Sequence, residues 1–235
     1  MLDFHSHILP EIDDGAQSVE ESIAMLKMLK EQGVTTVALT SHYLAMDESP
    51  EMFLERRAQS FEILKNAIDN KQLDLPDLML GAEVYYYPGI CKMEELSTLT
   101  LEGTNLLLLE MPMARWSEYT IRELEELYGN TGIRIVIAHI ERCIDYQKKE
   151  TLERLFNSGV ATQVNASFFI SKRTRRKALK MFKLGHIGFI GTDCHNLKYR
   201  PPKMNEALQI IHDCKQIPNE VLDDFIKNQK DNLYP

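Results

Sequence analysis

The first forty-two residues, "MLDFHSHILPEIDDGAQSVEESIAMLKMLKEQGVTTVALTSH" (1–42), read as strand, loop, helix and strand. The run "MLDFH" (1–5) is short and led by apolar residues. "SVEESIAMLKMLKEQG" (18–33) spaces its apolar residues along one helical face, with Ser18 and Glu21 as a capping box and Gly33 as the stop. "VTTVALT" (34–40) then returns to the β-branched composition of a strand. Two strands joined through a helix predict parallel pairing, because parallel strands need a long crossover. The unit recurs. Strand-like runs follow at "DLMLGAEVYY" (77–86), "NLLLLEM" (105–111), "IRIVIAH" (133–139), "VATQVNA" (160–166) and "HIGFIGT" (186–192). A second helix over 49–71 starts with Ser49 at the cap and Pro50 at its first position. Seven strands predict an α/β fold, either a closed TIM-like barrel or an open doubly wound sheet.

The chain of 235 residues is 44% hydrophobic and 26% charged, enough for one α/β domain (1–235) with a sizeable core. No apolar run reaches the roughly 18 residues of a membrane span, and no secretory signal is visible, so no membrane insertion is expected. Four scattered cysteines without a C-x-x-C pair suit reduced thiols and a cytoplasmic location. A net charge of −8 argues against general nucleic-acid binding.

The residues that end the strands are polar in a consistent way. His5 and His7 end the first, His42 follows the second, and Glu83 lies in the third. Glu110 ends the fourth, His139 the fifth, and Asp193 with His195 the last. Asp14 comes back from the first loop. The C-terminal edge of a parallel sheet is where active sites are built. Four carboxylates gathered there would repel one another unless divalent cations neutralised them. Nitrogen and oxygen donors alone favour Mn²⁺, Fe²⁺ or Zn²⁺, and so many donors predict more than one ion. Such ions can supply a hydroxide nucleophile near neutral pH.

The segments "DFHSHILPEIDDGA", "GAEVYY", "LLLLEMP", "IAHIER" and "GTDCHNLKYR" closely resemble the PHP (polymerase and histidinol phosphatase) superfamily. More narrowly, they resemble its manganese-dependent bacterial protein-tyrosine phosphatases of capsule and exopolysaccharide gene clusters. The resemblance implies a distorted (β/α)₇ barrel holding three divalent ions, most simply Mn²⁺. It places His5, His7, Glu83 and Asp193 on the first ion. Glu83 would bridge to a second ion held also by Glu110 and His139. Asp14, His42 and His195 would hold the third. It singles out Arg142 and Arg200 as phosphate-binding groups, which suits the bidentate guanidinium fork. It implies hydrolysis of phosphotyrosine on a protein substrate, the tail of an autophosphorylating bacterial tyrosine kinase that regulates polysaccharide synthesis. Glu11 stands where relatives usually have Gly, and "TSHY" where Thr-Pro-His is usual. A small-molecule phosphatase of the histidinol-phosphate type is the alternative, and a non-catalytic phosphotyrosine-binding regulator a more distant one.

Three further motifs carry expectations. "CHNLKYR" (194–200) has the C-x₅-R spacing of cysteine-dependent phosphatases, but lacks the glycines of a phosphate cradle, so Cys194 is expected to point into packing. "YYYP" (85–88) either lines the mouth of the site or packs at its rim. "KRTRRK" (172–177) is either a solvated helix start or a landing strip for an acidic phosphorylated segment, through Arg173, Arg175 and Arg176.

Overall fold

The computed structural model describes residues 1–233, so the last two residues of the expected 1–235 domain, Tyr234 and Pro235, lie outside the described residues. Its strands, in chain order, are β1 (Leu2–Asp3), β2 (Thr36–Leu39), β3 (His42–Tyr43), β4 (Asp77–Leu80), β5 (Glu83–Tyr85), β6 (Leu106–Glu110), β7 (Arg134–Ile137), β8 (Ala161–Asn165) and β9 (Phe189–Gly191). All pairings are parallel: β1–β2–β4 on one side, and β3–β5–β6–β7–β8–β9 on the other.

The two groups are one curled sheet interrupted twice. The third expected strand breaks at Gly81–Ala82, and the second resumes as β3 after Thr40–Ser41. Register is the same on both sides of the break, with Leu39 opposite Leu80 and His42 opposite Glu83. Gly81 N–H to Leu39 O (3.0 Å) and Glu83 N–H to Ser41 O (3.0 Å) span the gap. Hydroxyls join the first strand to the second beside the break. Ser6 Oγ donates to Ala38 O (2.7 Å), and Ser6 N–H donates to Thr40 Oγ1 (3.1 Å). The curl brings the last strand back to the first: Phe4 N–H donates to Ile190 O (3.3 Å), Asp193 N–H to His5 O (2.8 Å) and His7 N–H to Cys194 O (2.9 Å).

The helices on the outside are α1 (Val19–Glu31), α2 (Pro50–Asn70), α3 (Glu118–Thr131), α4 (Lys149–Asn157), α5 (Ala166–Ile170), α6 (Arg175–Lys183), α7 (Met204–His212) and α8 (Asn219–Asp231). The two expected starts are real. Ser18 Oγ accepts from Glu21 N–H (3.2 Å) while Glu21 accepts from Gln17 N–H (3.1 Å). Ser49 caps α2 through Met52 N–H (3.4 Å), with Pro50 at its first position. Gly33, at φ +81°, takes the left-handed stop of α1. The regular alternation fails between β5 and β6, where two 3₁₀ segments (Ile90–Lys92, Glu94–Leu99) replace a helix. No helix among the described residues is long and apolar enough to cross a membrane.

Strand alternation divides the core in two. Val37, Leu39, Leu107, Leu109, Ile135 and Ile137 face the helices and join the larger apolar cluster. Leu2, Phe4, Ala38, Leu106, Leu108, Val136, Ala138 and Phe189 form a second cluster on the concave face, with Phe4 stacked on Phe189 at 4.0 Å between centroids. The concave columns that begin with these apolar residues end in polar ones. Ala38 is followed at two-residue steps by Thr40 and His42, Leu108 by Glu110, Ala161 by Gln163 and Asn165, and Phe189 by Gly191 and Asp193.

Candidate metal centre

At the C-terminal edge of the sheet, the nine sequence-predicted ligands come together. His5, His7, Glu83, His139, Asp193 and His195 are buried, while Asp14 is exposed and His42 and Glu110 are intermediate. Glu83, at the start of β5, sits at the middle. Its Oε2 lies 3.2 Å from His5 Nε2, 3.3 Å from His7 Nε2 and 3.1 Å from His42 Nδ1. Its Oε1 lies 2.7 Å from His139 Nε2, which also approaches Glu110 Oε1 at 3.4 Å. Asp193 Oδ1 is 3.6 Å from His5 Nε2 and 3.5 Å from His7 Nε2. Asp14 Oδ1 lies between His42 Nε2 (3.4 Å) and His195 Nε2 (3.3 Å). Four donor groups emerge: His7–Asp14–His42–His195, His5–His7–Asp193, His5–Glu83–His139 and His42–Glu83–Glu110.

Two ligand positions require unusual backbone. The interior column of β7 ends at Ala138, and only a switch of phase turns the next side chain inward; His139 makes it at φ +29°. Asp193 takes φ +52°. Neither is glycine, and such strain persists where the surroundings enforce it. Glu11, also left-handed at φ +57°, occupies a backbone conformation that favours glycine. Two glycines make room for ligand histidines. A Cβ on Gly191 would lie 2.5 Å from His5 Cβ, and one on Gly15 would lie 2.1 Å from His7 O.

Gln163 and Asp13, neither of them among the expected ligands, set the histidine tautomers. His139 N–H donates to Gln163 Oε1 (2.7 Å), which identifies that atom as the amide oxygen. His5 Nδ1, 3.2 Å from the same oxygen, must therefore be the protonated nitrogen. Asp13 accepts from Gly15 N–H, His42 N–H and His7 Nδ1 (2.9 Å), so His7 is also protonated at Nδ1. Both Nε2 lone pairs then face each other at 3.1 Å, with carboxylate oxygens around them. Lone pairs aimed at one another repel, and a cation between them reverses the sign. This donor set fits divalent metal. Asn165 extends the support, accepting from Gln163 Nε2 (2.9 Å) and donating to Asp193 Oδ2 (2.6 Å). The signal for Gln163 and Asn165 was the two-residue spacing of amides within an otherwise apolar strand.

The electrostatics agree. Burial works against charge at His7, but hydrogen bonds that it donates to Asp13, Asp193 and Glu83 outweigh it and raise its pKa well above the usual imidazole value, so without an ion the carboxylates draw a proton to the place of the cation. Burial likewise opposes ionisation of Glu83, yet His5, His139 and His42 hold its carboxyl well below the usual range. Asp193 is held low in the same way, against its burial, by His5, His7 and Arg200. Glu110 is pushed up by burial and by the charge of Glu83. Burial, together with His7 and Arg200, depresses His195 to about 4.

Arg142 and Arg200 approach the cluster as expected. Each places a guanidinium Nη2 2.6 Å from Asp193 Oδ2, and Arg200 Nη1 donates to His195 Nε2 (2.8 Å). Beside them opens a cavity of ≈ 320 Å³, lined by Arg142, Asn165, Asp193, Tyr199, Arg200 and Lys203. Cys194 is fully buried in the outer core, and burial pushes its thiol far up, the opposite of a nucleophile's need. Of "YYYP", Tyr85 is 40% exposed beside Glu83, whereas Tyr86 is buried and donates to Glu123 (2.5 Å). The basic run divides too. Arg175 donates to Phe169 O (3.1 Å) and Ile170 O (2.8 Å) at the end of α5, and Lys177 pairs with Asp145, so neither belongs to a free strip.

Comparison with known proteins gives a consistent picture. The family model for capsular polysaccharide synthesis, CpsB/CapC, matches residues 1–233. Tyrosine-protein phosphatase CpsB of Streptococcus agalactiae serotype III (strain NEM316) is 30% identical, over 99% of this chain and 98% of its own. The Streptococcus pneumoniae protein of the same name is 34% identical, over 90% of this chain and 89% of its own. A crystal structure from work on YwqE of Bacillus subtilis and CpsB of S. pneumoniae, described as unique metal-dependent tyrosine phosphatases, superposes with a TM-score of 0.84. It covers 98% of this chain and 93% of its own at 24% identity, and shows the fold.

Proposed function

The chain belongs to the CpsB/CapC family of capsular polysaccharide synthesis, and from that premise we propose that it is a metal-dependent protein-tyrosine phosphatase, a phosphoric monoester hydrolase. The observation that carries the reading is the set of inward-facing imidazole lone pairs and carboxylates with two guanidiniums beside it. Three divalent ions, most simply Mn²⁺, suit the donors. His5, His7, Glu83 and Asp193 would hold one, Glu83, Glu110 and His139 a second, and Asp14, His42 and His195 a third. The reading also takes the curled sheet as a seven-unit barrel, the chain as a single domain working in the cytoplasm, and the substrate as the phosphotyrosine tail of a bacterial tyrosine kinase.

When bound, such ions supply an activated water and Lewis-acid polarisation of the phosphoryl oxygens. The rest falls to the chain. Gln163 and Asp13 keep the Nε2 lone pairs of His5 and His7 turned inward. Arg142 and Arg200 bring N–H forks to the edge of the ≈ 320 Å³ cavity, where phosphate oxygens would replace the Asp193 oxygen they now share. The buried floor keeps bulk water from the cluster.

Turnover of a phosphotyrosine peptide and of histidinol phosphate, measured side by side with Mn²⁺, tests the assignment. Higher kcat/KM on the peptide is expected. Preference for histidinol phosphate would replace the protein substrate by a small one. Peptide binding without phosphate release would make the protein a phosphotyrosine-binding regulator.

A further inference from the structure

A groove of ≈ 630 Å³ lies between α6 and the segment after α7, away from the metal ligands. Five cations line it, Lys172, Arg175, Arg176, Lys180 and Lys183, together with the apolar side chains of Leu179, Leu184 and Ile217. Among the described residues no carboxylate lines it, in a chain with eight more acidic than basic residues. Several basic side chains elsewhere have acidic partners: Lys30 with Asp74, Arg56 with Glu48, Arg154 with Glu118 and Glu125, Lys177 with Asp145. Lys172, Arg176, Lys180 and Lys183 make no ion pair among the described residues. Like charges gathered beside apolar surface raise the energy of the free protein, and an anionic ligand with apolar side chains relieves it.

The groove is also placed beside the reaction. Ser171 lines the cavity that holds Arg142 and Arg200, and the next residue, Lys172, lines the groove. An extended peptide advances about 3.3 Å per residue, so the residues flanking one seated in the arginine cavity can follow the chain from Ser171 to the rim at Lys172.

We propose that this groove is the docking site for an acidic peptide segment flanking the phosphotyrosine of a protein substrate. The proposal rests on the phosphatase reading only for what the neighbouring segment does; the groove's preference for an acidic peptide stands or falls by itself. Arg175, held on the α5 carbonyls, shapes the rim, while Lys172, Arg176, Lys180 and Lys183 are exposed and supply the contacts.

Fluorescence anisotropy with an unphosphorylated peptide rich in Asp and Glu, and with its Asn/Gln counterpart, separates the two claims. The wild-type chain should bind the acidic peptide, more weakly as salt rises, and bind the neutral one far less. The variant Lys172→Gln/Arg176→Gln/Lys180→Gln/Lys183→Gln should bind the acidic peptide about 10-fold more weakly, the combined effect of four exposed charge contacts. It should hydrolyse p-nitrophenyl phosphate like the wild type, and Lys172→Arg/Lys180→Arg/Lys183→Arg should keep peptide binding. Equal affinity for both peptides, or unchanged affinity in the Gln variant, overturns the proposal, as does binding to phosphatidylserine vesicles with none to the peptide. Failure to hydrolyse the aryl phosphate would instead strike the phosphatase reading.

Discussion

The concave face of the sheet has two ends of opposite character. At the start of the strands, Leu2, Phe4, Leu106, Leu108, Val136 and Phe189 fill the space with apolar side chains that need nothing further. A few residues later on the same strands stand His5, His7, Glu110, His139 and Asp193, whose charges and lone pairs converge. The first end is what a hydrophobic core asks for. The second is what a core avoids, and only a cation makes it favourable. Stability and function are thus layered along single strands rather than divided between regions of the chain.

Breaking the polar end should give the largest effect. Glu83→Gln removes a charge shared by four histidines and should lower metal affinity by more than about 100-fold, the upper range for merely supporting partners. Competition with a chelator of known affinity measures it. Breaking the apolar end should do the converse. Leu108→Ala opens a cavity and should cost about 2–5 kcal/mol in urea unfolding while leaving ion affinity nearly unchanged.

Asp3 lies at the boundary between the two ends. It is fully buried and accepts from Thr192 N–H (2.8 Å) and Thr192 Oγ1 (2.6 Å), yet burial outweighs these bonds and raises its pKa to about 6. A carboxyl that holds its proton more tightly in the folded state takes up protons on folding, so its contribution to stability falls as pH rises. The stability of wild type relative to Asp3→Asn should therefore drop by about 3 kcal/mol between roughly pH 4 and 6 and be level above. Urea unfolding of both proteins across that window checks it; a difference that rises with pH would contradict the assignment. The smallest effect belongs to the support layer. Gln163→Leu removes the oxygen that fixes the His5 tautomer and should weaken ion binding by about 10- to 100-fold, with little change in fold by circular dichroism.

The strand–helix alternation and the polar strand ends were legible because both are local patterns. All nine expected ligands and both arginines reach one cluster, since most of the ligands sit at or just past a strand whose direction the alternation already implied, and Asp14, Arg142 and Arg200 lie on the loops that leave those strand ends. What escaped depends on partners distant in sequence. Asp13 and Asp14 look alike in "IDDGA", yet Asp13 holds His7 and Asp14 lies between His42 and His195. Gln163 and Asn165 carry no ionisable group to draw attention, and their roles exist only once β8 lies beside β9 and β7. The division of the 172–177 run was hidden for the same reason: Arg175 spends its hydrogen bonds on carbonyls that only the fold brings near. Beside the break in the second strand, Ser6 and Thr40 meet across thirty-four residues.

The most direct test of the metal centre is hydrolysis of p-nitrophenyl phosphate by the purified protein, before chelation, after it, and after Mn²⁺ is returned, with bound metal counted at each stage. Activity that vanishes with the metal and recovers in proportion to Mn²⁺ rebound is the predicted result. Activity that survives complete metal removal would contradict it and separate the cluster of His5, His7, Glu83 and Asp193 from the chemistry.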